Sequence, residues 1–140
     1  MIDVRQLRYG CHVSVGRDYP SFSVPKRVVT VTDIGYEDVE VSDDPQQTDR
    51  DVYKVSEIEG IAIADIIPIL EKNGFQEGGI KGDEYIKMVH VSKNIVKVDL
   101  YGNCSCSGST NVSRSGVKYL HQLEACISDA GINFEFDFRQ

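Results

Sequence analysis

No apolar run in this 140-residue chain approaches the roughly 18 residues that a membrane helix needs,. The opening residues, Met1-Ile2-Asp3-Val4-Arg5, have no apolar core behind a basic start. A secretory leader is therefore not expected, and a cytoplasmic location is,. Basic charge is also scarce. Fifteen Lys and Arg stand against 22 Asp and Glu, for a net charge of −7 and a pI near 4.9. That balance argues against a general nucleic-acid binder. The chain has no P-loop, no G-x-G-x-x-G and no G-x-S-x-G,. Its three histidines form no His-x-x-x-His or Glu-x-x-His pair within a helix turn,. No catalytic residue, metal ligand set or cofactor is assigned on these grounds.

What is present reads as a globular protein. The hydrophobic fraction is 41% and the charged fraction 26%, which excludes wholesale disorder,. The length suits one ordinary domain or two very small ones, with enough chain to bury a core without disulfides.

Four cysteines occur, at 11, 104, 106 and 126. In a reducing compartment their even number does not imply disulfides. Cys104-Ser105-Cys106 is a C-x-C pair rather than a zinc knuckle, although both thiols would share one face of a strand. Small half-buried strand residues are the simpler reading, with histidines on the surface. A Cys–His dyad assembled in space, from Cys126 or Cys106 with a histidine, is the catalytic alternative. The turn-like pairs Asp43-Asp44 and Asp83-Glu84 are poor acid/base candidates.

The acidity is concentrated. Ten acidic residues and two basic ones lie between Asp33 and Glu59. Such a stretch suits a basic partner or a nucleic-acid mimic. The plainer reading is a solvated loop with charged strand faces, as the alternation Tyr36-Glu37-Asp38-Val39-Glu40-Val41 suggests.

Period-2 segments dominate the first sixty residues: Gly10–Gly16, Arg27–Ile34, Tyr36–Val41 and Asp51–Ile58, with Gly60–Ile63 ending the set,. Pro20 and Pro25 mark one loop and residues 43–49 another. The pattern predicts an α+β protein. A small curled, SH3-like β-barrel unit is expected over residues 1–62, and helix–three strands–helix–strand over 63–140, as two units or as one compact domain. The first helix is expected to start at an Asp65 N-cap, tolerate Pro68 and stop at Asn73-Gly74-Phe75. Strands 85–91 and 95–101 flank the turn Ser92-Lys93-Asn94, and a third passes through Cys104 and Cys106. The second helix is predicted over about 116–130, with Val117, Leu120, Leu123, Ile127 and Ala130 as its apolar stripe and Gly131-Ile132 as its stop. The closing strand, Ile132–Phe138, should turn Phe134, Phe136 and Phe138 inward.

Three segments resemble a group of small uncharacterised proteins encoded by gut Bacteroidetes and by their phages and mobile elements. They are Leu7-Arg8-Tyr9-Gly10-Cys11-His12-Val13, Ile58-Glu59-Gly60-Ile61 leading into Ile69-Leu70-Glu71-Lys72-Asn73-Gly74-Phe75, and Tyr119-Leu120-His121-Gln122-Leu123. Cys11 replaces the asparagine usual in that group. Ala62-Ile63-Ala64-Asp65 replaces its proline-threonine helix start. The resemblance implies phage or mobile-element origin, in a host-cell cytoplasm, and brings no activity with it.

The expected function is non-catalytic binding. One form is an anti-defence factor that meets a host protein through the Asp33–Glu59 stretch. Another sequesters a nucleotide signal with the hydroxyl-rich loop from Ser107. There, Ser113, Arg114 and Ser115 are the candidate ligand-binding residues for a small anion, because they are expected to open the second helix. Arginine and helix N–H groups together would contribute about 2–3 kcal/mol to such binding. The competing classes are a small hydrolase or nuclease with dispersed residues, and a virion or assembly component that forms a homo-oligomer.

Overall fold

A computed structural model describes residues 2–15, 27–43, 50–78, 84–89 and 94–138. The loops expected around Pro20, Pro25 and Gln46, the Ser92-Lys93 turn, and His90 lie outside these residues. The protein is mixed α and β, mostly strands, with two α-helices among the described residues. It divides into two units, Met1–Ile61 and Ala62–Gln140.

Unit 1 is a curled antiparallel sheet. It opens with a 3-10 turn, Val4–Gln6, whose first N–H groups are partly served by Asp3: its carboxylate accepts from the Arg5 N–H at 3.0 Å,. Strands β1 (His12–Val15), β2 (Arg27–Ile34), β3 (Asp38–Ser42), β4 (Arg50–Lys54) and β5 (Ile58–Glu59) follow, in the spatial order β4-β3-β2-β1-β5. The core is aliphatic and largely β-branched: Val13, Val15, Val29, Val31, Val39 and Val41 interlock with Leu7 and Ile58,. Because side chains alternate, each of these valines leaves its neighbours on the opposite face. In β3 that puts Asp38 in solvent and Glu40 half-buried between buried Val39 and Val41. In β1, the strand second from one edge, both faces are covered, so His12 and Ser14 are buried as well. A bulge at Thr32 shifts the β2–β3 register between Val31 and Asp33, a feature that bends and twists a strand,. The set closes at β5 rather than over Gly60–Ile63. Ile63 instead begins a 3-10 turn, Ile63–Asp65, in unit 2.

Unit 2 runs α1 (Ile67–Lys72), β6 (Gln76–Gly78), β7 (Glu84–Val89), β8 (Asn94–Asp99), β9 (Cys104–Ser107), β10 (Asn111–Arg114) and α2 (Leu120–Asp129). The five strands form an antiparallel meander, β10-β9-β8-β7-β6. Among the described residues, five strands rather than three thus separate the helices. Asp65 lies inside the 3-10 turn, and α1 starts two residues later from Ile66 without a side-chain cap.

Both helices end by the same device. Gly74 (φ +92°) and Gly131 (φ +76°) sit in the left-handed region. In α1 the Phe75 N–H reaches back to Leu70 O at 3.0 Å and the Gly74 N–H to Glu71 O at 3.0 Å. In α2 the Ile132 N–H reaches Ile127 O at 3.1 Å and the Gly131 N–H reaches Ser128 O at 3.0 Å. These paired bonds satisfy carbonyls that a helix end would otherwise leave open.

α2 starts at Leu120, later than its apolar pattern suggests. Gly116 has φ +74°, outside helical space, and the Val117 N–H is taken by Gly102 O at 2.8 Å. Gln122 then reaches back to accept from the Lys118 and Tyr119 N–H groups, at 2.9 and 3.0 Å,. The predicted stripe is buried throughout, at Val117, Leu120, Leu123, Ile127 and Ala130.

The terminal segment forms no strand. Residues 132–138 carry no regular secondary structure, and Asn73 takes the place of a pairing partner. Its side-chain amide accepts from the Asp137 N–H (2.8 Å) and donates to Asp137 O (2.9 Å), as a neighbouring strand would,. Phe136 is buried and stacks on Phe75 with centroids 5.7 Å apart, while Phe134 meets both rings edge-on and is half-buried, as is Phe138,.

Candidate functional site

The structure separates the predicted trio Ser113, Arg114 and Ser115. The hydroxyl-rich stretch is no loop at the head of α2, because Asn111–Arg114 is strand β10, paired with β9 from Asn111↔Ser107 to Arg114↔Cys104. Alternation along that strand sends Ser113 and Arg114 to opposite faces of the sheet. Arg114 lies on the α2 side, where its guanidinium pairs with Asp129. Ser113 faces the other way, and Ser115 is exposed beyond the strand end.

The turn between β9 and β10 meets α2 at its C-terminal end. Ser109 Oγ donates to Ala130 O (3.2 Å), the Thr110 N–H to the same oxygen (3.3 Å), and Thr110 Oγ1 to Asp129 O (3.1 Å). A helix C-terminus exposes carbonyls and carries partial negative charge, so it attracts donors and cations rather than anions. Ser109, Thr110 and Arg114 serve that end. The approach is close: a Cβ on Gly108 would lie 2.3 Å from Ala130 O. Hydroxyl content and charge were readable in the sequence, but which end of the helix they would meet depended on the β9–β10 pairing.

On the opposite face, a groove of about 170 Å³ is lined by Glu84, Lys97, Asp99, Asn103, Ser105 and Ser113, with Val98 and Cys104 bordering it between them. Lys97, Ser105 and Ser113 stand side by side across β8, β9 and β10, and Glu84 is opposite Asp99. Asp99 ends its strand in an Asx-type turn. Its carboxylate accepts from the Tyr101 and Asn103 N–H groups, both at 2.9 Å, and from the Asn103 side chain at 3.1 Å,. Burial opposes its charge, yet these bonds outweigh burial and hold the carboxyl below its ordinary value,. The turn residues Asp99, Gly102 and Asn103 are visible in the sequence. The strand expected to reach Tyr101 therefore stops at Asp99.

The other face of the same strands buries thiols. Cys104 and Cys106 share a side of β9, with Sγ atoms 3.8 Å apart, and Cys126 on α2 is buried in the same unit. All three are essentially inaccessible. Bonds to Cys106 and Cys126, together with burial, push the Cys104 thiol up. The bond from Cys104 chiefly, with help from the Arg114 guanidinium, draws Cys126 down to about 7 against the effect of burial,. Among the described residues, no group of three or more His, Cys, Asp or Glu is arranged to hold a metal ion.

The histidines expected at the surface are buried where they are described. His12 lies on β1, and His121 is 2% exposed on α2. Tyr119 stacks on the His121 ring at 5.9 Å, its Nδ1 has no hydrogen-bond partner, and burial lowers its pKa to about 4,. His121 lay off the stripe in the sequence, but α2 is covered over a wider arc than the stripe, taking in Ala125 and Cys126 too.

Unit 1 carries charged and aromatic groups outward at the β2–β3 turn. At the β2–β3 turn, Tyr36 is 92% exposed beside exposed Glu37 and Asp38, with Asp33 exposed on β2. On the outermost strand, β4, Val52 is 65% exposed between Asp51 and Tyr53. Thr32 Oγ1 and Arg50 both bond Glu40 Oε1, at 2.8 and 3.3 Å, tying three strands together beside this acidic surface.

No helix among the described residues is long and apolar enough to cross a membrane. No family model, curated protein or solved structure matches the chain.

Proposed function

We propose that this is a non-catalytic binding protein that engages a basic protein partner through the β2–β3–β4 surface of unit 1. The observation that carries the reading is Tyr36, 92% exposed and set among Asp33, Glu37 and Asp38. A nearly bare tyrosine gains apolar contact and a hydrogen bond when a partner covers it, and tyrosines are common anchors of interfaces. The surrounding carboxylates would steer a basic surface toward it and set its orientation. With the phage or mobile-element origin that the resemblance implies, the partner is a host protein and the role is anti-defence.

The test compares the wild-type protein with a Tyr36→Ser/Glu37→Lys/Asp38→Lys variant. Each is immobilised and exposed to host lysate, retained proteins are identified, and the retained species is purified and titrated. A basic protein held by the wild type, with affinity falling steeply as salt rises and by at least about tenfold in the variant, supports the proposal. Equal retention by both proteins, or salt-independent binding, overturns it.

A further inference from the structure

The sheet face of unit 2 that points away from α2 carries two polar rows set by strand register. The pairings Lys97↔Ser105 and Ser105↔Ser113 place one ammonium and two hydroxyls side by side across β8, β9 and β10. Directly opposed residues of this kind stand about 5 Å apart at Cβ. Glu84 and Asp99, opposite one another on β7 and β8, make the next row, two residues along the strands and so about 7 Å away,. Asn103 extends that row, its backbone oxygen accepting from the Asp99 N–H at 3.0 Å. The groove of about 170 Å³ is lined by members of both rows.

The two rows are complementary in hydrogen bonding. Glu84 offers acceptors only, Lys97 donors only, and each serine hydroxyl offers both. Among the described residues, none of these four side chains has a hydrogen-bond or ion-pair partner, and Glu84 does not pair with Lys97 diagonally across from it. The end of the groove is fixed. Asp99 accepts from the Tyr101 and Asn103 N–H groups and from Asn103 Nδ2, which leaves Asn103 Oδ1 as an acceptor on a held side chain,. An anion entering here meets Glu84 and Asp99, and a cation meets Lys97, so a charge of either sign faces repulsion. A neutral hydroxyl donates to a carboxylate and accepts from an ammonium. Hydroxyls on adjacent carbons therefore serve both rows at once.

We propose that this groove binds a neutral saccharide, whose vicinal hydroxyls donate to Glu84 and Asn103 Oδ1 and accept from Lys97, Ser105 and Ser113. The volume lies below the range of about 300–1,000 Å³ that houses drug-sized ligands, and it suits a single sugar ring,. Lys97, Ser105 and Ser113 are exposed, so the ring can be free or can end a longer glycan. The site lies in unit 2 and makes no use of the Tyr36 surface in unit 1.

The test follows the amide signals of the isotope-labelled full chain by NMR during titration with glucose, galactose, mannose and N-acetylglucosamine, each alone. Glycine and inorganic phosphate serve as charged comparators. At least one sugar should shift the amides of Lys97, Asn103, Ser105 and Ser113 saturably, with a Kd of about 1–10 mM. Because the ligand is neutral, raising the salt concentration should leave that Kd unchanged. Lys97→Met should weaken binding about tenfold and Ser105→Ala about fivefold, while Tyr36→Ser should leave it as it is. The same spectra report whether each variant is folded, and the wild-type titrations decide the matter if one is not. The absence of saturable shifts with all four sugars overturns the proposal, as do shifts confined to residues away from the groove. Tighter binding of glycine or phosphate than of every sugar, or unchanged binding in a folded Lys97→Met variant, also overturns it.

Discussion

The two units place their charged groups and their thiols differently. In unit 1 the interior is largely aliphatic, with His12, Ser14 and Ser42 enclosed beside the valines, and the charges with their aromatic neighbour Tyr36 stand in solvent. In unit 2 the reactive groups are inside: three thiols and His121 are covered by the contact of α2 with β9 and β10. A valine-rich strand offers only packing to its core, so chemistry on it must lie on the outer face. A ten-residue helix laid on a sheet buries several side chains from a wide arc, and α2 thereby encloses polar groups along with its apolar stripe,. The comparison teaches that burial follows the period of two along most of β3 but not in β1, whose two faces are both covered, whereas burial in unit 2 depends on what lies over the helix.

The sharpest way to break this contrast is to separate α2 from the hairpin beneath it. Gly108→Val places side-chain atoms where Ala130 O already sits, since even a Cβ would come within 2.3 Å. A loss of about 3 kcal/mol is expected, the upper end of the range for overpacking. Amide hydrogen exchange should show protection lost in α2, β9 and β10 and kept in β1–β3. Uniform loss across both units would mean that the contrast does not extend to stability.

The next test is pH. His121 has a folded pKa of about 4, below the ordinary 6.5, because burial disfavours its cation. The unfolded chain therefore binds this proton more readily than the folded one. Stability is complete above pH 6.5 and is lost progressively as pH falls from 6.5 to about 4, by up to about 3 kcal/mol at 1.36 kcal/mol per unit. Denaturant melts across that window should show the loss in the wild type and a flatter profile in His121→Leu. Equal slopes in the two proteins would show that the imidazole is not sequestered.

A smaller effect is expected at the chain end. Asn73→Ala removes both bonds to Asp137 and one to Ile69 O, at a cost of about 1–2 kcal/mol,. Increased proteolysis within 132–138, ahead of global unfolding, is the accompanying sign. The smallest effect belongs to unit 1. Tyr36→Ser should change stability by less than about 0.5 kcal/mol, because so little of the ring is buried,. A large loss there would give the tyrosine a role in folding and weaken its assignment to binding.

Much of the fold was legible because its signals are local. The valine alternation of 27–34, the Asn73-Gly74-Phe75 stop and the Leu120–Leu123–Ile127 stripe each reflect a rule that operates within a turn or two of backbone. The end of the chain illustrates the limit. Phe134, Phe136 and Phe138 alternate as a strand would, but a strand also needs a neighbour, and the Asn73 amide and the Phe75 ring occupy that position. Ser113, Arg114 and Ser115 show the same limit for the site. Adjacent in sequence, two of them are sent to opposite faces once β10 pairs with β9.

By itself, the sequence determined the periodicities, the glycine stops, the acidic Asp33–Glu59 stretch and the presence of a C-x-C pair, all properties of residues close together along the chain. Only the tertiary structure decided that the hydroxyl-rich stretch meets the C-terminus of α2, that His121 is enclosed, and that Cys126 on α2 is buried along with Cys104 and Cys106 on β9. Those outcomes depend on which surfaces come into contact. A short-range pattern constrains the face a side chain takes, whereas what that face meets is settled by packing between distant segments.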